Sequence, residues 1–181
     1  MNAQLWKKTW WLVPIICLCW GYAPGWGEAA AGPQIYTDKH GYFSFTPPPG
    51  WVEKDYPGAK MGRVRFTSPD RKATLSIIVM PASPQEATFE KLLAAKRLIM
   101  EKLRQEKPEG KYRLAEGAIC QFKCVKLEVE IPGQLIQENY LLVEKGLSVS
   151  FGYAAANPAG LEEYRRTALD SFCTIKLNGE K

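Results

Sequence analysis

Three prolines in a row, Pro47-Pro48-Pro49, sit between an alternating aromatic segment and a tryptophan, and they set the first hard limit on the fold. Proline removes the ladder donor, so no central strand can run through this point. Upstream, Tyr42-Phe43-Ser44-Phe45-Thr46 alternates, placing Phe43 and Phe45 on one face. Gly41 ends the preceding Asp38-Lys39-His40 turn, and Gly50 releases a stiff polyproline corner. Trp51 follows, placed to plug that corner against a core. The stretch therefore reads as turn, short strand, corner and aromatic plug.

Downstream the pattern is β-rich. Arg63–Thr67 alternates basic and apolar, and Ala73–Met80 is β-branched and nearly continuously apolar, so the two read as a hairpin with its second strand central. Ser83 with Glu86 matches a capping box, Pro84 suits a first helical position, and Thr88 is a rival cap. The helix they open runs to about Lys107, stopped by Pro108 and Gly110, with Phe89, Leu92, Ala95, Ile99 and Leu103 as its core stripe. Lys111–Leu114 is a short strand broken at Glu116-Gly117. Residues 119–131 form a long one, in which Val125, Leu127, Val129 and Ile131 alternate with Lys126, Glu128 and Glu130. Turns at Pro132-Gly133 and Lys145-Gly146 fold the chain into a meander of about three strands. Asn157–Gly160 ends it, Leu161–Phe172 is a second helix, and 173–177 is a terminal extended piece. The expected fold is α+β, a twisted antiparallel sheet of about six strands flanked by helices.

Residues 1–31 read as an address. Lys7 and Lys8 precede an apolar run, Trp10–Trp20, and Gly27–Ala31 offers small residues to a signal peptidase, with cleavage expected after Ala31. Domain organisation is then a cleavable signal, 1–31, and one domain, 32–181. The apolar run is short of the roughly 20 residues a spanning helix needs, so a retained, membrane-tethered form is the alternative. Cys17 and Cys19 lie inside the run without the leucine and small residues of a lipidation site. The net charge is +5, and +4 once Lys7, Lys8 and Glu28 are removed. The basic residues are dispersed, which argues against nucleic acid as a partner.

Three cysteines, Cys120, Cys124 and Cys173, remain in 32–181. On one strand Cys120 and Cys124 would lie roughly 13 Å apart at about 3.3 Å per residue, beyond disulfide reach. A Cys124–Cys173 or a Cys120–Cys173 bridge stays open, with Cys124–Cys173 taken as the candidate pair; three small buried thiols are the other reading.

The chemical search finds little. His40 is the sole histidine, and Asp38 with His40 falls short of the three or four ligands of a metal site. Glu128/Glu130 and Glu162/Glu163 read as an exposed strand face and a helix start. No phosphate loop, dinucleotide fingerprint or nucleophile elbow is present. A small exported hydrolase would have to pair Cys120 or Cys124 with His40. The expectation is a non-enzymatic chain with no catalytic, cofactor-binding or metal-binding residues and no cofactor. Its functional surface is expected in the loop Glu53–Arg63 or on the charged faces of the meander.

Gly41-Tyr42-Phe43-Ser44-Phe45-Thr46-Pro47-Pro48-Pro49-Gly50-Trp51, the hairpin leading into the long helix, the meander, and Asp170-Ser171-Phe172 together resemble the PsbP-like superfamily. That group includes extrinsic subunits of the oxygen-evolving complex, a Ran-binding yeast protein, and bacterial envelope proteins of the DcrB type. The resemblance implies an antiparallel sheet sandwiched by helices, with Gly41, Phe43, Phe45, Pro49, Gly50, Trp51 and Phe172 as a structural signature. It implies an exported binding or assembly module of the bacterial cell envelope, periplasmic or extracellular. The partner would be an unknown envelope protein or lipid surface, and a monomer without an integral membrane domain is expected after processing.

Overall fold

A computed structural model describes residues 34–54, 61–84, 87–133 and 135–179, all within a single unit, Ala31–Lys181. The expected signal segment 1–31 lies outside the described residues. The elements in order are β1 (Tyr36–Thr37), β2 (Phe43–Phe45), β3 (Val52–Lys54), β4 (Gly62–Thr67), β5 (Ala73–Pro81), α1 (Phe89–Glu106), β6 (Lys111–Ile119), β7 (Phe122–Ile131), β8 (Leu135–Glu144), β9 (Leu147–Ala155), α2 (Pro158–Phe172) and β10 (Lys176–Leu177).

The sheet has seven strands in the order β3-β4-β5-β9-β8-β7-β6, every neighbouring pair antiparallel. A second sheet of three, β1-β2-β10, joins the start of the chain to its end. The architecture is α+β, and the strand count exceeds six because short pieces pair at the margins. The meander contains four strands, because the break expected at Glu116-Gly117 falls instead at Cys120-Gln121 and β6 pairs with β7 along its whole length.

That division corrects the reading of 119–131 as one strand. β6 continues through Glu116 and Gly117, which pair with Val125 and Cys124. The chain then reverses at Cys120-Gln121, where Cys120 takes a φ of 54°. Pairing of Ile119 with Phe122 leaves a two-residue loop, and such hairpins require positive φ. Local alternation could not show this, because both sides of the turn keep the same period.

The long helix starts later than the Ser83–Glu86 box implies, and Glu86 lies outside the described residues. β5 extends through Pro81, and the Ala82 N–H donates to the Gly146 carbonyl at 2.8 Å, so the chain is still leaving the sheet. Thr88 is the cap, its hydroxyl accepting from the Lys91 N–H at 3.3 Å. The second helix starts earlier than Leu161: Asn157 caps it by accepting from the Gly160 N–H at 2.8 Å, and Pro158 sits in its first turn.

The two helices cover opposite faces. Neighbours on β8 point to opposite sides, so Leu141 joins the core with Leu92, Met100, Val125, Leu127 and Val129 beneath α1. Tyr140 and Leu142 join the larger core with Val64, Leu75, Phe151 and Phe172 beneath α2. α1 packs over β6, β7 and β8, whereas α2 packs over β9, β5 and β8.

The signature residues fall on the larger core and its corner. Phe43 and Phe45 are buried on β2, and Phe172 stacks on Phe151 with ring centroids 4.5 Å apart. Asp38 folds its carboxylate back onto the N–H groups of His40 and Tyr42, and Gly41 completes that turn at φ 74°. After the buried Pro48, the exposed pair Pro49-Gly50 makes a β-turn closed by Trp51 N–H donating to the Pro48 carbonyl at 3.2 Å. Gly50 has a φ of 75°, the positive value a type II turn needs at that position. Trp51 is 8% exposed and meets Tyr164 edge-on at 5.7 Å, tying the corner to α2.

Candidate functional site

Charged side chains concentrate on the α2 side of the β6–β7–β8 meander. Strand alternation puts Lys111 and Arg113 of β6, Lys126, Glu128 and Glu130 of β7, and Glu138 and Tyr140 of β8 on one face. The register sets Lys111 opposite Glu130, and Arg113 opposite Glu128, which in turn faces Glu138. Two glutamates directly across a ladder repel each other, and Lys126 resolves the conflict. Its ammonium lies 2.6 Å from Glu128 and 3.1 Å from Glu138. Arg165 of α2 reaches the other oxygen of Glu138 at 3.1 Å, and the Tyr140 hydroxyl donates to it at 2.9 Å. Glu138 is buried, its side chain 9% exposed, and is thus held by a lysine, an arginine and a phenol. Isolated burial of a carboxylate is costly; three charge-assisted or hydroxyl donors offset it.

The electrostatics run in one direction. The hydrogen bond from Lys126 holds the Glu128 carboxyl below its ordinary value. Burial alone pulls the Lys126 ammonium down, but its bonds to Glu128 and Glu138 outweigh this and raise it. Burial, and then the Glu138 charge, push the Tyr140 phenol up. Each of these shifts carries a pKa further from neutral pH, whereas a general acid or base is poised near the working pH. Beside this knot lies an open groove of about 350 Å³, lined by Arg113, Glu128, Glu130, Ile136, Glu138 and Leu161 among others.

The cysteines take different places from the candidate pair. The disulfide joins Cys120 and Cys173, with Cα atoms 5.5 Å apart, which corrects the Cys124–Cys173 expectation. Cys120 reaches Cys173 because it sits at the hairpin reversal and not within a strand. Cys124 is free and buried in the larger core, where burial pushes its thiol up. Neither sulfur supplies the thiolate that a cysteine–histidine hydrolase needs. His40 stacks on Tyr42 at 6.0 Å in the Asp38 turn. Among the described residues, no group of three or more His, Cys, Asp or Glu is placed to hold a metal ion. No helix among them is long and apolar enough to cross a membrane.

Of the two surfaces expected to carry function, residues 55–60 of the loop lie outside the described residues. The charged meander face is the one the structure assembles. The Glu138 knot escaped sequence reasoning. Its signal was the polar triplet Gln137-Glu138-Asn139 set between the apolar pairs Leu135-Ile136 and Leu141-Leu142 of one strand; all three are buried.

The fold is that of PsbP-like proteins. It is similar to the solution structure of cyanobacterial PsbP, CyanoP, from Synechocystis sp. PCC 6803, with a TM-score of 0.59, 18% identity, and coverage of 87% of this chain and 98% of that one. A protein of unknown function from Pseudomonas aeruginosa, PA94, described as a putative regulator, gives a TM-score of 0.52 at 16% identity, covering 81% and 98% of the two chains. The Saccharomyces cerevisiae Ran-binding protein Mog1p gives 0.50 at 8% identity, covering 83% and 97%. No known sequence family and no curated protein matches the chain.

Proposed function

We propose that this chain is a non-catalytic binding or assembly module, exported to the cell envelope and released from its N-terminal segment by cleavage near Ala31. The observation that carries the non-catalytic half is the closed ion network around Glu138, in which each charged side chain is held by one of opposite sign. Such a surface offers shape and charge to a partner and no poised proton-transfer group. The similarity of fold to a protein described as Ran-binding supports a binding role, since the same scaffold presents a surface to another protein there. Export is supported by the exposed Cys120–Cys173 bridge, because disulfides persist in oxidising compartments and are rare in reducing ones.

Cell fractionation of the full chain with intact-mass measurement tests the reading. The expected product starts near Gly32, lies in the envelope or outside the cell, and lacks free thiols at Cys120 and Cys173. A chain that keeps Met1 and reduced cysteines in the cytoplasm overturns export. Turnover of any substrate that survives purification, and is lost on Glu138→Gln, overturns the non-catalytic reading.

A further inference from the structure

β6 forms one rim of the large sheet. Its nine residues span roughly 30 Å at about 3.4 Å each, whereas β3 at the opposite rim has three. The turn at Cys120-Gln121 bonds Ile119 to Phe122. Odd-numbered residues of β6 therefore turn their N–H and C=O groups toward β7, and even-numbered residues turn theirs outward. In keeping with this, Arg104 of α1 reaches the Tyr112 carbonyl from outside at 3.5 Å. Further along, the outward backbone groups of Leu114, Glu116 and Ala118 have no hydrogen-bond partner among the described residues. Glu116, Gly117 and Ala118 are exposed.

The usual guards are missing from this rim. Natural edges are blunted by proline, by bulges, or by charges that overhang them. β6 contains no proline, and its register with β7 runs unbroken from Lys111 to Ile119. Its charged side chains lean inward: Lys111 meets Glu130 at 3.0 Å, Arg113 meets Glu128 at 3.7 Å, and Glu116 meets Lys123 at 3.9 Å, all on β7. Gly117 is a separate sign. Its φ is not positive, and a Cβ there would meet nothing within 4 Å, so the chain's own packing does not call for glycine. Glycine inside a strand often marks the close approach of another backbone.

The strand is complementary to itself. A two-fold axis through Ala115, the midpoint of Lys111–Ile119, sets Arg113 opposite Gly117 of a second copy, Leu114 opposite its Glu116, and Lys111 opposite its Ile119. Each long Arg113 then lies over a residue with no side chain, and methyl faces methyl on the axis. An axis at Arg113 or at Glu116 would set like charges opposite each other, which is destabilising. α1 is centred over β7, so the two α1 helices stand three strand spacings apart, roughly 14 Å. That exceeds the helix diameter of about 10–12 Å, and they fit side by side. Pairing uses up β6 in both copies, and the short β3 offers little to extend the assembly, so the symmetry closes at two.

We infer that two copies of this chain join by antiparallel β6–β6 pairing about Ala115, making one continuous sheet in place of the expected monomer. The axis runs perpendicular to the sheet, so α2 of both copies lies on the same side. The two open grooves beside the Glu138 knots therefore flank the axis as one two-fold surface. The inference needs neither export nor the absence of catalysis.

Sedimentation of the chain purified from cells that make it, between about 1 μM and about 1 mM, tests the pairing. The expected result is a doubling of mass with concentration, and amide exchange at Leu114, Glu116 and Ala118 at least about tenfold slower in the concentrated sample. Glu116→Pro removes an outward donor and leaves the β6–β7 ladder whole, so it abolishes the doubling with the melting temperature of the dilute chain unchanged. Should that variant fail to fold, cysteines serve instead. Ala115→Cys oxidises to a disulfide-linked dimer, since Cα atoms facing each other on the axis lie about 4.5 Å apart. Gly117→Cys, roughly 14 Å from its mate, does not. A chain that stays monomeric throughout, a dimer that survives Glu116→Pro, equal crosslinking at 115 and 117, or growth beyond two copies overturns the inference. A monomer that still captures another protein overturns the dimer and leaves the binding module standing.

Discussion

Phe172 and Cys173 are adjacent, and they hold the end of α2 in two different ways. The ring of Phe172 is fully buried against Phe151, so Phe172→Ala removes a large apolar side chain from a packed site. The expected loss is about 3–5 kcal/mol, read from urea unfolding. Cys173 closes a bond across a sequence separation of 53 residues to Cys120. Chain entropy assigns a loop of that length about 4 kcal/mol. Reductant is therefore expected to lower the unfolding midpoint of the native chain and to leave Cys120→Ser/Cys173→Ser unaffected. Cys124→Ala keeps the full response to reductant, and a response lost in that variant would mean the wrong sulfurs had been paired. Lys126 has a comparable individual weight. Lys126→Met leaves Glu138 with Arg165 and Tyr140 only, and the loss of a hydrogen bond to a charged group is expected to cost about 1.5–3 kcal/mol in the same assay.

At the scale of elements, the β6–β7–β8 meander carries the pH dependence. The folded pKa of Glu128 is depressed by Lys126, so its contribution is complete above its unfolded value of roughly 4.3 and fades as pH falls through the lower folded value. Lys126 has the opposite sign: its folded pKa is raised, so its share is complete below roughly 10.4 and fades only as pH climbs through the folded value. Stability from this pair is flat across neutrality. Glu128→Gln is expected to shallow the acid limb between pH 5 and 3, by a few tenths of a kcal/mol for a half-buried pair that water still screens, measured by urea unfolding at each pH. The strands themselves were largely legible, because alternation in Arg63–Thr67 and Val125–Ile131 encodes one wet and one dry face. The hairpin at Cys120-Gln121 was not, since nothing in its residue types demands positive φ. Nor was Thr88 preferred over Ser83, for the choice depends on Ala82 remaining bound to Gly146 across the sheet. The Glu138 knot was hidden for a similar reason. Its partners come from β7, β8 and α2, and only pairing register brings them together.

On the scale of the whole molecule, the two helices take opposite faces of one sheet, and the ion network lies on the face that carries α2. On the other face, Gly152 lies where β5, β8 and β9 crowd together. A Cβ there would lie 2.8 Å from the Ser76 hydroxyl and 3.0 Å from Asn139 Oδ1. Gly152→Ala is expected to cost about 1–3 kcal/mol by overpacking, read as a lowered melting temperature, and a neutral result would show that Ser76 and Asn139 yield.

The small sheet has a consequence in time. β2 pairs with β10, Phe43 with Leu177, so a strand near the start of the domain waits for one that follows α2. Until Lys176 and Leu177 emerge, the aromatic face of β2 lacks that neighbour, and the disulfide cannot close before Cys173 appears. A chain growing from its N-terminus therefore keeps the small sheet open and the disulfide unclosed until α2 and the strand after it have been made.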